Sequence, residues 1–259
     1  MSGAVEILAL LGSGMAAGAI NAVAGGGTLL TFPTLLFLGT SPVMANATST
    51  LALVVGTAGS VFGYRQHLAA IQPWLWRFSL VSLLGGLLGS MLLTRTNDRT
   101  FSKLVPFLIL FATVLFLGQG LVRRMAISDR AVDGPPGRRR IHLAISFQFL
   151  VAIYGGYFGA GIGILMLASL GFLGLGHIHE MNALKTVLSS LINLVAAVWF
   201  IGAGLIQWPQ AGMMTAGALV GYFVGSHFSQ RIPQPRVRQL VTLIGFTISA
   251  VTFYKEFLR

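Results

Sequence analysis

Eight long apolar stretches, roughly 4–38, 44–63, 74–94, 101–122, 141–174, 181–201, 211–230 and 237–254, leave this chain few folds to choose from. A helix needs about 20 apolar residues to cross the hydrocarbon core of a bilayer, and most of these stretches reach that length. Only 9% of the residues are charged, against about 25% in a soluble domain. A charge at the bilayer centre costs about 3 kcal/mol on insertion scales, so the deficit fits a surface that faces lipid. The runs do not alternate as barrel strands do. The expected fold is an all-α integral membrane protein of about eight transmembrane helices.

Two of the stretches are too long for one crossing. Residues 4–38 as a single helix would measure about 53 Å against a core of about 30 Å. Each over-long stretch contains a glycine cluster: Gly25, Gly26 and Gly27 in one, and Gly159, Gly161 and Gly163 in the other. Counting the pieces on either side of each cluster separately raises the expected number of segments to ten. Non-helical backbone at membrane depth is tolerated only within protein or around a watery cavity. The clusters therefore predict an interior site.

A shift of 136 residues lays the second half on the first without a gap. It pairs Gly25 with Gly161, Gly27 with Gly163, Asn46 with Asn182, Thr50 with Thr186, Gly85 with Gly221 and Gly89 with Gly225. The matches fall on Gly and Asn, which mark breaks, turns and packing faces, and not on the common Leu and Ala. This predicts two homologous four-segment halves, 1–122 and 141–259, as in many transporters. The arginine-rich stretch 123–140 reads as a basic cytoplasmic linker. Charge counting leaves open whether the halves run parallel or inverted.

Net charge is +11, and the positives gather between apolar runs. That is a topogenic pattern and not a nucleic-acid surface. There are no cysteines, which removes disulfide and thiol chemistry. The N-terminus reads as the start of a membrane segment and not as a cleaved signal. No metalloprotease, nucleophile-elbow or phosphate-loop motif appears, so neither an enzyme, a metal site nor a cofactor is expected. GAGIG lacks the strand–helix context of a dinucleotide fingerprint.

Polar residues inside membrane segments are the remaining clue. Asn182, Lys185, Thr186, Ser189 and Asn193 share a helix face, and Asn46, Thr50, Thr57 and Ser60 make the matching stripe. The six acids lie at segment ends or in loops. Donors, one lysine and broken helix ends suit an anion. The expected site comprises Gly25, Gly26, Gly27, Thr28, Asn46, Thr50, Gly161, Gly163, Asn182, Lys185 and Thr186, meeting near mid-membrane between the halves. The bland readings are close packing for the glycines, snorkelling for Lys185 and self-bonding for the hydroxyls. A non-transporting assembly or scaffold component is the competing class, followed by a membrane enzyme and a passive channel.

The stretch GAINAVAGGGTLLTFPTLLFLGTSPVMANATSTLAL (18–53) resembles the TauE/SafE sulfite exporter family. The shared pattern is a glycine cluster, an apolar stretch ending at Pro33, a short loop at 39–42 and a polar segment from Ala45 to Thr50. The second half is similar to the family's second repeat, although Ser169 stands where Pro33 would fall. The resemblance implies seven or eight membrane helices. It also implies a secondary transporter in the inner membrane that exports a small sulfur-containing oxyanion, such as sulfite or an organosulfonate. The implied partners are that anion and membrane lipid, with no nucleic acid, and a homo-oligomer is left open.

Overall fold

A computed structural model describes residues 3–23, 26–63, 66, 68–128, 137–171, 178–228 and 234–258. They form ten helices: α1 (Gly3–Val23), α2 (Thr28–Phe37), α3 (Pro42–Gly63), α4 (Leu68–Arg95), α5 (Asp98–Ser128), α6 (Arg138–Tyr157), α7 (Ile162–Gly171), α8 (Ile178–Gly202), α9 (Trp208–Phe228) and α10 (Gln234–Phe257). Both over-long stretches are broken at their glycines, as the ten-segment count expects. By length and composition, Gly3–Ala22, Ile71–Arg95, Asp98–Leu121, Glu180–Gly202 and Gln239–Phe257 can each cross a membrane. Helix α5 continues through residues 123–128, into the stretch read as linker, and 129–136 lie outside the described residues.

A chain of contacts gathers one end of the bundle. Glu6 and Thr40 both meet Gln210, at 3.5 and 2.9 Å. Asp98 accepts from the Val43 amide at 3.0 Å, and Ser102 donates to Glu256 at 2.7 Å. We call this the terminal end, and the opposite one, where α5 stops and α6 starts, the linker end. Helix α1 leaves the terminal end, and α2 comes back to it. The tip between them has already returned to the level of α1's fourth turn, because a Cβ on Gly27 would lie 2.6 Å from the Ala17 carbonyl oxygen. The α1–α2 unit is thus a hairpin that enters and returns. Helices α3, α4 and α5 then cross three times.

The second half repeats this order from the other end. Helix α6 starts at the linker end and brings Tyr157 toward Thr96, with their hydroxyls 3.5 Å apart. Helix α7 folds back until Ser169 donates to the Ala144 carbonyl at 3.0 Å. Helices α8, α9 and α10 then cross, leaving Glu256 at the terminal end. Three crossings per half make the two halves run in opposite directions.

Packing partners recur in the same way. Helix α9 lies on α1, and its counterpart α4 lies on α6. Both contacts are glycine-mediated. Gly14 and Gly18 sit on the Met214 and Ala218 carbonyls, and Gly221 sits on Met15. Gly89 sits on the Ile153 carbonyl, and Gly156 on that of Gly86. Backbones this close have no room for a Cβ, and lipid-embedded helices associate through such contacts because apolar burial drives nothing there. Leu80, Leu84, Leu88 and Leu92 on the outer face of α4 are about half exposed or more. Their four-residue spacing is a lipid-facing stripe.

Candidate functional site

Both hairpin tips rest on the same short stretch of α5. Gly26 lies under the Phe116 ring, and a Cβ on Gly161 would lie 3.5 Å from Leu115 and 3.7 Å from the Ala112 Cα. The backbone at these tips is left-handed, with φ of +98° at Gly26, +81° at Gly159 and +78° at Gly161. Only glycine takes that conformation without strain. Each tip is tied to the helix before it. The Gly27 amide donates to Asn21 Oδ1 at 2.7 Å, and the Tyr154 hydroxyl donates to the Ala160 carbonyl at 2.8 Å.

Helices α2 and α7 both begin at this meeting place, so their N-termini point into it. A helix N-terminus carries about half a positive charge and free amides. The Thr28, Gly161 and Gly163 amides donate to no other described residue. Gly161 is buried, and Thr28 and Gly163 are half-buried.

Side chains from the other helices close around the tips. Helices α3 and α8 cross where Ser190 donates to the Thr57 carbonyl at 3.0 Å. Asn193 Oδ1 lies 4.0 Å from where a Gly159 Cβ would be. The Tyr222 ring of α9 packs against Gly56. Its buried hydroxyl sits beside the Asn21 side chain without a hydrogen bond of good geometry. Asn21 and Tyr222 are absent from the expected site. Asn21 precedes the glycines by one helical turn and a half, which is the available signal, whereas nothing local to Tyr222 distinguishes it from a packing aromatic.

The expected site residues divide into three groups. Gly26, Gly27, Thr28 and Gly161 stand at the tips, while Gly25 lies outside the described residues. Asn46 and Thr50 sit toward the terminal end, and Asn182, Lys185 and Thr186 toward the linker end. Helices α3 and α8 are antiparallel, so counting from the Thr57–Ser190 contact separates Asn46 from Asn182 by about 28 Å along the bundle. The two asparagines therefore flank the tips from opposite sides. Gly163 is in the first turn of α7, where the Lys185 stem passes it, with Cδ 3.5 Å from its Cβ position. Lys185 Nζ donates to Asn182 Oδ1 at 3.2 Å. Thr50 and Thr186 donate to their own Asn46 and Asn182 carbonyls, at 2.9 and 2.8 Å, so each hydroxyl keeps only its acceptor side for anything else.

The profile of the family described as "Sulfite exporter TauE/SafE" matches residues 10–252. A probable membrane transporter protein of Haemophilus influenzae is 29% identical over 97% of this chain and 96% of its own length. The probable membrane transporter protein YfcA of Escherichia coli is 24% identical over 93% of this chain and 87% of its own. No solved structure matches. With a helical bundle of apolar spans, paired hairpins and a family match over nearly its whole length, this chain belongs to the TauE/SafE family and is a multi-pass membrane transporter.

Proposed function

We propose that the protein exports a small sulfur-containing oxyanion, such as sulfite or an organosulfonate, across the bacterial inner membrane. The observation that carries this reading is the convergence of two half-helix N-termini on one point of α5, where the amides of Thr28, Gly161 and Gly163 donate to no other described residue. Such termini bind anions through their N–H groups and partial positive charge. Glycine at 161 keeps a Cβ off the anion's approach to the α7 tip, whereas Gly26 and Gly27 are covered by Phe116 and by Ala17 with Asn21. The Tyr222 hydroxyl supplies a donor from the side. Lys185 adds positive charge toward the linker end, and Asn46, Thr50, Asn182 and Thr186 make the polar approaches on either side.

The oppositely directed halves suit alternating access, in which one hairpin unit rocks against the other around the tips. Orientation follows once the helix directions are known. Arg123, Arg124, Arg138, Arg139, Arg140, Arg236 and Arg238 lie at the linker end, against Arg95, Arg99, Lys103 and Lys255 at the terminal end. By the positive-inside rule the linker end is cytoplasmic. The units 1–122 and 141–259 act as the two moving bodies, with the linker between them on that side.

The test is flux into and out of proteoliposomes with a panel of sulfite, thiosulfate, sulfoacetate and chloride. Saturable flux and countertransport of the sulfur oxyanions, reduced in Gly161→Ala, are expected. No flux of any anion by folded protein would favour the scaffold class, and unsaturable flux would favour a channel.

A further inference from the structure

The C-terminal ends of α1 and α6 pass beyond the tips, toward opposite ends of the bundle. Where α6 ends, Asn46 of α3 donates through Nδ2 to the Tyr157 carbonyl at 3.0 Å. That bond decides the amide's orientation, since the flipped rotamer would set two oxygens against each other. Oδ1 is therefore the amide's other end, and among the described residues it accepts no hydrogen bond although Asn46 is only 1% exposed. Among the described residues, the buried carbonyls of Gly155 and Gly156 accept no amide from the turn that follows, because the Phe158 and Gly159 amides both go to Tyr154. An acceptor-rich helix C-terminus carries partial negative charge. A buried oxygen without a donor costs free energy comparable to a lost hydrogen bond.

The second half shows what such an oxygen takes. Asn182 corresponds to Asn46, since 182 minus 46 is 136. Its Oδ1 accepts from Lys185 Nζ at 3.2 Å. The position corresponding to Lys185 is Ser49, since 185 minus 136 is 49. Ser49 is too short to reach back, and its hydroxyl pairs with Thr31 of α2 at 2.6 Å. The lysine stem has room because Gly163 stands beside it. Helices α2 and α7 correspond at a shift of 134 (162 minus 28), which puts fully buried Leu29 at the Gly163 position. One half thus fills its asparagine oxygen with a tethered ammonium, and the other offers the same oxygen without one.

We propose that Asn46 Oδ1, held at the C-terminal end of α6, binds a small monovalent alkali cation, with sodium as the fitting probe. The Lys185 ammonium is its built-in counterpart in the second half. Neutral oxygens suit a hard cation, and unwound helix C-termini supply such sites in transporters. Taken as the coupling ion, this cation rests on the anion-export reading; taken as a bound ligand, it stands alone.

The experiment is thermal unfolding of purified protein in nanodiscs, titrated with NaCl against choline chloride at equal ionic strength and without any sulfur anion. The wild type is expected to show a saturating rise in Tm with sodium. Asn46→Leu should lose the rise. Ser49→Lys with Leu29→Gly copies the second half and should be stabilised in choline and indifferent to sodium. Lys185→Ser should keep the rise and gain a second saturable phase. If the double variant fails to fold, direct sodium-22 binding to wild type and Asn46→Leu decides alone. A wild type whose Tm and sodium-22 binding ignore sodium would overturn the proposal and leave a bound water as the partner of Asn46. Sodium binding by a protein that moves no sulfur oxyanion would keep the cation site and sink only the export reading.

Discussion

The turn after α1 is tied by an accepting side chain, Asn21 Oδ1 on the Gly27 amide, whereas the turn after α6 is tied by a donating one, the Tyr154 hydroxyl on the Ala160 carbonyl. The same exchange recurs elsewhere. Gly56 of α3 yields to Tyr222 of α9, while at the corresponding contact Gly86 of α4 yields to Ile192 of α8. Asn182 has its lysine and Asn46 has none. The halves therefore share a backbone scheme held by glycine contacts and differ in the side chains laid over it. Equal backbones give the two hairpins a common shape, and unequal side chains give each its own polar surroundings.

The largest expected effect tests the shared part. Gly221→Leu drives a side chain into the Met15 carbonyl, and Gly89→Leu does the same at Ile153. Each should cost about 3 kcal/mol, the upper end of the usual overpacking range, and leave little folded protein on size exclusion. Gly212→Leu, with open space around it, should stay within about 0.5 kcal/mol. Unequal losses at Gly221 and Gly89 would show that the two contacts do not bear the same load.

The tips should already differ. Gly26→Ala and Gly161→Ala both force a left-handed residue, worth about 1–3 kcal/mol. Only the first also strikes the Phe116 ring; the nearest atom to the second is 3.5 Å away. Gly26→Ala should therefore unfold at lower temperature than Gly161→Ala, and adding Phe116→Leu should recover part of the gap. Next come the ties. Asn21→Ala leaves the Gly27 amide unpaired, at a cost of about 1–3 kcal/mol, and Tyr154→Phe leaves the Ala160 carbonyl, at about 1 kcal/mol. Chemical denaturation of the two variants ranks them.

Smallest in stability is Tyr222→Phe. It removes a hydroxyl that makes no good hydrogen bond, so Tm should not fall, while anion flux should drop about tenfold, as losing one hydrogen bond to a charged group implies. Unchanged flux would return Tyr222 to a packing role over Gly56.

Much of this architecture was legible beforehand. Long apolar runs require spanning helices, and a glycine cluster inside an over-long run requires a break, because bilayer thickness and Cβ sterics allow little else. The recurrence of Gly85 and Gly89 at Gly221 and Gly225 marked real packing faces. The register at the tips was less legible. A shift of 136 pairs Gly25 with Gly161, but the helix starts at Thr28 and Ile162 stand 134 apart, so residues 25–27 correspond to 159–161. Gly163 then belongs to the first turn of α7, where it makes room for the Lys185 stem. Gapless alignment could not see this, since two residues gained between α7 and α8 restore the 136 shift from Asn46 onward.

Sequence periodicity places Asn46, Thr50, Asn182 and Lys185 on helix faces and turns those faces inward, because lipid rejects polar groups. It carries no information about which way each helix runs. Only the tertiary structure decides that α3 and α8 are antiparallel, so that Asn46 and Asn182 flank the tips from opposite sides. Only the packing of α5 and α9 brings Gly26, Gly161 and Tyr222 to one level. Azimuth on a helix is a local property of residue spacing, whereas depth in the bundle depends on how distant helices pack against one another.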